Sequence, residues 1–470
     1  MKRSFTNLLG ASLLGLLILS GFTGKAQQTT LASVERVSKT AKPDSAEVAD
    51  KKADAKTEAK AEKKADAPAW TPVRRLWGYS FGDFYYAAHA DATNRGGETM
   101  YNGVPADRNA FQFRRVYLGY DYDIDQHFTA EVLLASEPSA NTTVANATNA
   151  NVQNGDNLVD NKMAFFIKNF NLRYRNIWNG TDLVFGEMST PGFALNEPGT
   201  NAPTSLSEAT WNYRSIEKTV TDFHKTNSYD VGAALQGTFD PATKNYGYVF
   251  MVGNNSQASL LTAANANTGF FKIFYGDLWA KFLDKRLYVD VYGDYVKTSS
   301  TTATIGAQSH GVFKVFAAYN AKKFAVGAEA YTEQIGNGVT NTATKLNEDA
   351  TVNALSLWIR GTIIKDQAHP DDPKAAKFGF FARYDTYNPD TKFNTGDTYT
   401  VNTNLSSYNP TVKEQFITAG LDFQPSPKIH FEPNVWYVGY KDQRDPGVTG
   451  YVADDHTLVY RMTVFFTFGK

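Results

Sequence analysis

From Val73 onward the chain alternates apolar with polar residues in about sixteen stretches rich in Tyr, Phe, Val, Gly and Ala. A period of two marks a strand with one apolar face. The stretches run from LWGYSFGDFYY and FQFRRVYLGYDYD, through FFKIFYGDLWAKF and LYVDVYGDYV, to the terminal LVYRMTVFFTFG. The connections between them alternate in length. DIDQ, NIWNG, DPATK, LDKR, NAKK and QPSPK are short, and KDQAHPDDPKAA is somewhat longer. Residues 91–109, 136–160, 188–227, 254–268, 298–309, 333–350, 386–412 and 441–456 form the long, polar set. Tight turns on one rim and long loops on the other are the layout of a transmembrane antiparallel β-barrel. A single soluble sandwich of this length would have no use for long loops on one side only.

The last strand sets the closure. Leu458, Tyr460, Met462, Val464, Phe466 and Phe468 make an uncharged file, and Val459, Arg461, Thr463, Phe465 and Thr467 make the other. Hydrocarbon offers no partner to a free backbone group, so the last strand must pair with the first. That places the even-numbered file against lipid and the odd-numbered file toward the lumen. The fold expected is all-β, a barrel of about sixteen strands.

The balance of charge gives no field for nucleic acid or an anionic surface, since the formal net charge of the 470 residues is −1. There is no cysteine, so an exported chain of this size relies on burial and closed hydrogen bonding. Export is expected. Lys2 and Arg3 precede the apolar run LLGASLLGLLILSGF, and Gly24-Lys25-Ala26 offers a small-residue cleavage site. Residues 1–26 therefore read as a signal peptide, with an uncleaved anchor as the competing reading. Residues 27–69 hold the segment KKADAKTEAKAEKKADAPA, with almost no large apolar residue. It reads as a periplasmic linker, disordered or helical, with a weak trimer-forming helix as the alternative. Residues 70–470 are the barrel.

Four segments carry a family resemblance. They are FQFRRVYLGYDYDIDQHFTAEVLL (111–134), LVFGEMSTPGFALNEP (183–198), YRSIEKTVTDFHK (213–225) and SYDVGAALQGTF (228–239). Together they resemble the phosphate-selective porin family of Gram-negative outer membranes. That family has a strand with an Arg-Arg pair, then one ending in Phe-Gly, a Pro-rich loop that folds in, and an Asp-aliphatic-Gly strand. The resemblance implies a 16-stranded barrel assembled as a homotrimer, with its long loops at the cell surface. Two features depart from it. Gly469 and Lys470 follow Phe468, where the family ends on phenylalanine, and no dense basic ladder is evident.

Phasing each strand by its apolar file assigns the lumen. The inward cations are Arg115, Arg173, Arg175, Lys281, Lys314, Arg360, Arg383 and Arg461. The inward anions are Glu131, Asp230, Asp277, Asp290, Asp294, Glu329, Asp385 and Glu432. A balanced wall selects weakly by its sum. It sets up either a transverse field across a wet pore or internal salt bridges that brace the wall. The loop 188–227 is the constriction candidate. If it folds inward, Arg214, Lys218, His224 and Lys225 face Glu208, Glu217 and Asp222 there. An outer lid or a subunit contact is the competing role.

No enzymatic motif is present: no G-x-S-x-G, P-loop or H-E-x-x-H, and no two histidines at metal-ligand spacing along the chain. No cofactor and no metal are expected. The sequence thus points to a channel in the outer membrane for passive diffusion of small hydrophilic solutes, with anions such as phosphate among them. The alternative is a surface-binding or structural barrel with a plugged lumen. The implied partners are outer-membrane lipid and lipopolysaccharide, the barrel-assembly machinery through the C-terminal strand, and further copies of the chain.

Overall fold

The computed structural model describes residues 70–91, 93, 105–137, 158–159, 162–163, 165–192, 219–224, 228–255, 271–298, 307–321, 323–365, 377–402 and 409–469. Residues 1–26, expected to be a signal peptide, and the whole of the expected linker 27–69 lie outside these residues.

Sixteen long strands form a closed antiparallel ring. In chain order they are β1 (Arg74–His89), β2 (Asn109–Asp123), β3 (Phe128–Ser136), β4 (Phe166–Trp178), β5 (Thr181–Ser189) and β6 (Tyr229–Thr238). Next come β7 (Tyr246–Gly253), β8 (Ile273–Phe282), β9 (Leu287–Thr298), β10 (Gln308–Asn320) and β11 (Phe324–Asn341). The ring is completed by β12 (Asn347–Lys365), β13 (Lys377–Asn388), β14 (Val412–Ser426), β15 (Ile429–Asp442) and β16 (Asp455–Gly469). Each strand pairs with its neighbours in sequence. Strand β16 closes on β1 from Trp77↔Gly469 to His89↔Leu458. A short helix, α1 (Val220–His224), lies between β5 and β6.

The ring is inverted relative to a water-soluble protein. Its outward file is exposed and apolar, as at Phe111 (87% exposed), Phe185 (68%), Phe170, Phe274 and Phe313. Its inward file is polar and enclosed, as at Asp83, Glu131, Arg173, Lys314 and Arg461 (4% exposed). On β16, Tyr460, Met462, Phe466 and Phe468 face out, while Val459, Arg461, Thr463 and Phe465 are buried. An apolar belt this continuous exceeds what a soluble monomer exposes. It is matched to hydrocarbon, in which closure leaves no strand edge unpaired.

The short connections carry their own hydrogen bonds. Asp125 Oδ1 accepts from the backbone N–H groups of His127 at 2.7 Å and Phe128 at 2.9 Å, closing the β2–β3 turn. Asp240 accepts from the backbone of Asn245 and Tyr246 at 3.0 Å and so closes the β6–β7 turn. These bonds hold the Asp125 and Asp240 carboxyls below the usual range, against the upward pull of desolvation at Asp240.

One long connection differs from expectation. Residues 333–350 read as a loop, yet β11 and β12 run through this region and close with a turn at 342–346. The alternation there is masked by Gly336 and Gly338 and by a bulge between Ile335 and Val339. The short strand Tyr399–Val401 adds to the edge of the hairpin, pairing with Val339–Asn341. That third strand supplies backbone partners that local sequence does not reveal.

Candidate functional site

The candidate site is the inner wall, together with the ends of the segment joining β5 to β6. Its arginine-rich arc begins at a β-bulge in β2. The β1–β2 register shifts between Phe81 and Gly82, so that Arg114 is the extra residue. Before the shift Phe111 and Phe113 face out, and after it Tyr120 does. A bulge opposes two residues to one, and here it turns two consecutive arginines inward. Arg114 reaches Asp83 at 3.1 Å and Arg115 reaches Glu137 at 3.1 Å. A second bulge in β4, between the pairs Leu133↔Asn169 and Leu134↔Ile167, does the same for Lys168. Its ammonium also bonds Glu137 and lies 4.7 Å from the Tyr229 ring centroid. Burial alone would raise the Glu137 carboxyl, but Arg115 and Lys168 hold it down at about 2.

The remaining cations of this arc are also paired. Arg173 spans Glu131 and Asp182, both at 3.2 Å, and donates to Gln236 Oε1 at 2.8 Å. Arg175 bonds Asp123 near the turn rim. Arg461 crosses to Asp83 at 3.6 Å, donates to Asn434 Oδ1 at 2.7 Å and lies 3.9 Å over the Trp436 ring.

The opposite arc, β8 to β11, is acidic. Asp277, Asp290, Asp294, Glu329 and Glu333 are buried on its inner face with Lys281 and Lys314. Lys314 Nζ stands 3.9 Å from both Asp290 and Glu329. Asp230 sits at the mouth of β6 and accepts from Tyr275 Oη at 2.8 Å and the Asn255 N–H at 2.9 Å. Farther round, Arg383 pairs with Asp385 on its own strand. Arg360 donates to Asn320 Oδ1 at 3.4 Å, and Glu432 is fully buried on β15.

The segment between β5 and β6 enters the ring from both ends. After β5, the Gly192 carbonyl accepts a hydrogen bond from Lys314 of β10, across the barrel. At the other end, Thr221 of α1 donates its hydroxyl to Glu329 Oε1, and its N–H donates to the same oxygen at 3.2 Å. The His224 ring stacks on Tyr387 with centroids 3.5 Å apart and lies 3.7 Å from Glu414. Gly192, Thr221 and His224 thus touch β10, β11, β13 and β14. Arg214, Lys218 and Lys225 lie outside the described residues.

Sequence phasing missed Arg114 and Lys168, because strict alternation assigns only one of two neighbours to the lumen. A signal was present in FQFRRVYLGY, where the apolar file moves from odd to even positions at the Arg pair. It also could not show spatial metal-ligand groups. Among the described residues two such groups form, His89–Asp455–His456 at the loop rim and Asp422–His430–Glu432 inside the turn rim.

No protein-family model matches the chain, and no curated protein matches it. Several solved structures are similar in shape. The anion-selective porin of Comamonas acidovorans is 12% identical with a TM-score of 0.48, covering 85% of this chain and 100% of its own. The outer membrane channel DcaP of Acinetobacter baumannii is 10% identical with a TM-score of 0.49, covering 84% and 97%. OprB of Pseudomonas putida is 9% identical with a TM-score of 0.47, covering 84% and 94%.

Proposed function

We propose that the chain is a diffusion channel of the Gram-negative outer membrane, passing small hydrophilic solutes through its barrel. The observation that carries this reading is the inverted ring: apolar and exposed outside, charged inside, with no strand edge left open. Such a surface is stable only in hydrocarbon. Lipid and lipopolysaccharide then cover the belt, the assembly machinery receives β16, and copies of the chain associate as a homotrimer.

The segment 190–228 is the constriction in this proposal. Its ends at Gly192 and Thr221 are tied to inward side chains of β10 and β11. Paired cations and carboxylates on β2–β4 face an acidic arc on β8–β11, and that contrast supports a transverse field across the solute path. The inner face of β8–β11 does not favour anions, because its carboxylates outnumber its lysines. Anion preference, phosphate included, therefore rests on Arg214, Lys218 and Lys225. Under a salt gradient across a planar bilayer, Arg214→Glu with Lys218→Glu shifts the reversal potential toward cations, most strongly at low salt. A reversal potential that stays in place in a normally conducting double variant removes the constriction role from this segment.

A second reading, a plugged structural barrel, is favoured by the close pairing of Arg114, Arg173, Arg383 and Arg461 inside the ring. The two readings separate on sugar efflux from proteoliposomes: the channel releases small sugars faster than large ones, and the plugged barrel releases neither.

A further inference from the structure

We propose that His89, Asp455 and His456 form a binding site for a divalent transition-metal ion of the zinc class, at the loop rim of the seam between first and last strands. The site is independent of the channel reading. His89 ends β1, and Asp455 and His456 begin β16, so the donors meet from positions 366 residues apart. Their ligand atoms all lie within 4.8 Å of one another.

The geometry converges on one oxygen. His89 Nε2 stands 2.9 Å from Asp455 Oδ1, and His456 Nδ1 stands 3.7 Å from the same atom. Donors on one tetrahedral zinc are about 3.4 Å apart, given bonds of roughly 2.0–2.1 Å. The two observed separations bracket that value. The imidazoles stack, centroids 4.1 Å apart at 17°, so the His89 ring has to turn about its side-chain bonds to aim its lone pair at an ion shared with His456. Tyr437 stacks against His456 at 5.2 Å and fixes its plane.

Placement of His89 depends on a backbone irregularity. The β1–β16 register shifts between Ala87 and His89, so His89 pairs with Leu458 of the outward file. It then stands beside His456, which shares the parity of Leu458. The shift falls at the last pair of the ladder, where closure of the ring does not require it. The three side chains are 44%, 25% and 36% exposed, so an ion has a path of entry and water can fill a fourth position. Two imidazoles and one carboxylate suit zinc, nickel or copper better than magnesium or calcium. The group Asp422–His430–Glu432 is a weaker candidate, since its side chains are only 8%, 6% and 0% exposed and leave an ion little path of entry. An ion at the rim would tie the two ends of the barrel together.

The test uses the full chain, folded in detergent and free of any polyhistidine tag. Calorimetric titration with zinc chloride gives one ion per chain, and cobalt(II) at the same site gives a visible ligand-field band. His89→Gln and His456→Gln each weaken zinc by about tenfold or more, as loss of a first ligand should exceed loss of its supporting hydrogen bond. His127→Gln, at the opposite rim, binds as before. Absence of stoichiometric zinc binding overturns the proposal, and so does unchanged binding in the His89→Gln/His456→Gln chain. If that double variant does not fold, the cobalt spectrum of the unaltered chain decides: no tetrahedral nitrogen-ligand band means no site.

Discussion

Asp83 is the carboxylate on which the seam between β1, β2 and β16 turns. It receives Arg114 at 3.1 Å, Arg461 at 3.6 Å and the Thr463 hydroxyl. The two guanidiniums also share one ring, lying 4.8 Å and 3.9 Å from Trp436. Removing one partner of a buried pair costs about 3–5 kcal/mol, because the charge left behind stays buried. Asp83→Asn is therefore expected to lower the unfolding midpoint of the inserted barrel in urea, read as the folded-to-unfolded shift in gel mobility. A midpoint equal to that of the parent would show that the network carries no such weight. On the outer face, Met462→Arg places a charge in hydrocarbon at a cost of about 2–4 kcal/mol. Membrane-inserted, heat-resistant protein should fall sharply. Thr463→Ser keeps the hydroxyl and should assemble normally. Thr463 itself is fully enclosed by Asp83 and Asn434, so the inner file tolerates less than alternation alone suggests. Glu137 adds a pH dependence. Its folded carboxyl, at about 2, lies below the ordinary 4.5, so its contribution is complete above pH 4.5 and is lost as pH falls toward 2. In Glu137→Gln, the acid-side loss of stability over that window should shrink. An identical acid limb would contradict the assignment.

At the scale of elements, the segment between β5 and β6 matters most. Its ends are held by Lys314, Glu329 and the Tyr387 ring. Excising the residues between Gly192 and Thr219, with a short Gly-Ser bridge, should raise single-channel conductance, and unchanged conductance would place the segment outside the solute path. Most elements were legible in the sequence because period two is a direct consequence of facing lipid on one side and water on the other. The phase of β16 follows from Tyr460, Met462 and Phe466 alone. Legibility fails where a strand gains a residue. At Arg114 and Lys168 the bulges let two neighbours face inward. At Pro433 the register is unchanged, but the β14–β15 ladder carries no pairs between Gly420↔Asn434 and Phe423↔Phe431, and this gap accommodates a residue with no N–H to give. The 333–350 hairpin was obscured for a different reason, since its third strand comes from residues 399–401. The ties of Gly192 and Thr221 to distant strands leave no local signature at all.

The whole molecule is a ring of sixteen strands preceded by a charged, alanine-rich stretch. That stretch has no apolar face with which to build wall, so deleting 31–66 while keeping residues 1–30 should leave conductance unchanged. Lost conductance from inserted protein would instead make it a plug or an assembly element. Ring closure, outward apolar file and inward charge all follow from one claim, that this chain crosses a bilayer as a water-filled barrel. Single-channel recording of the purified, folded chain in a planar lipid bilayer tests that claim most directly. The account requires discrete, ohmic current steps whose size grows with salt concentration and with removal of the segment between Gly192 and Thr219. Protein shown to be folded and inserted, yet giving no steps with or without that segment, would contradict it.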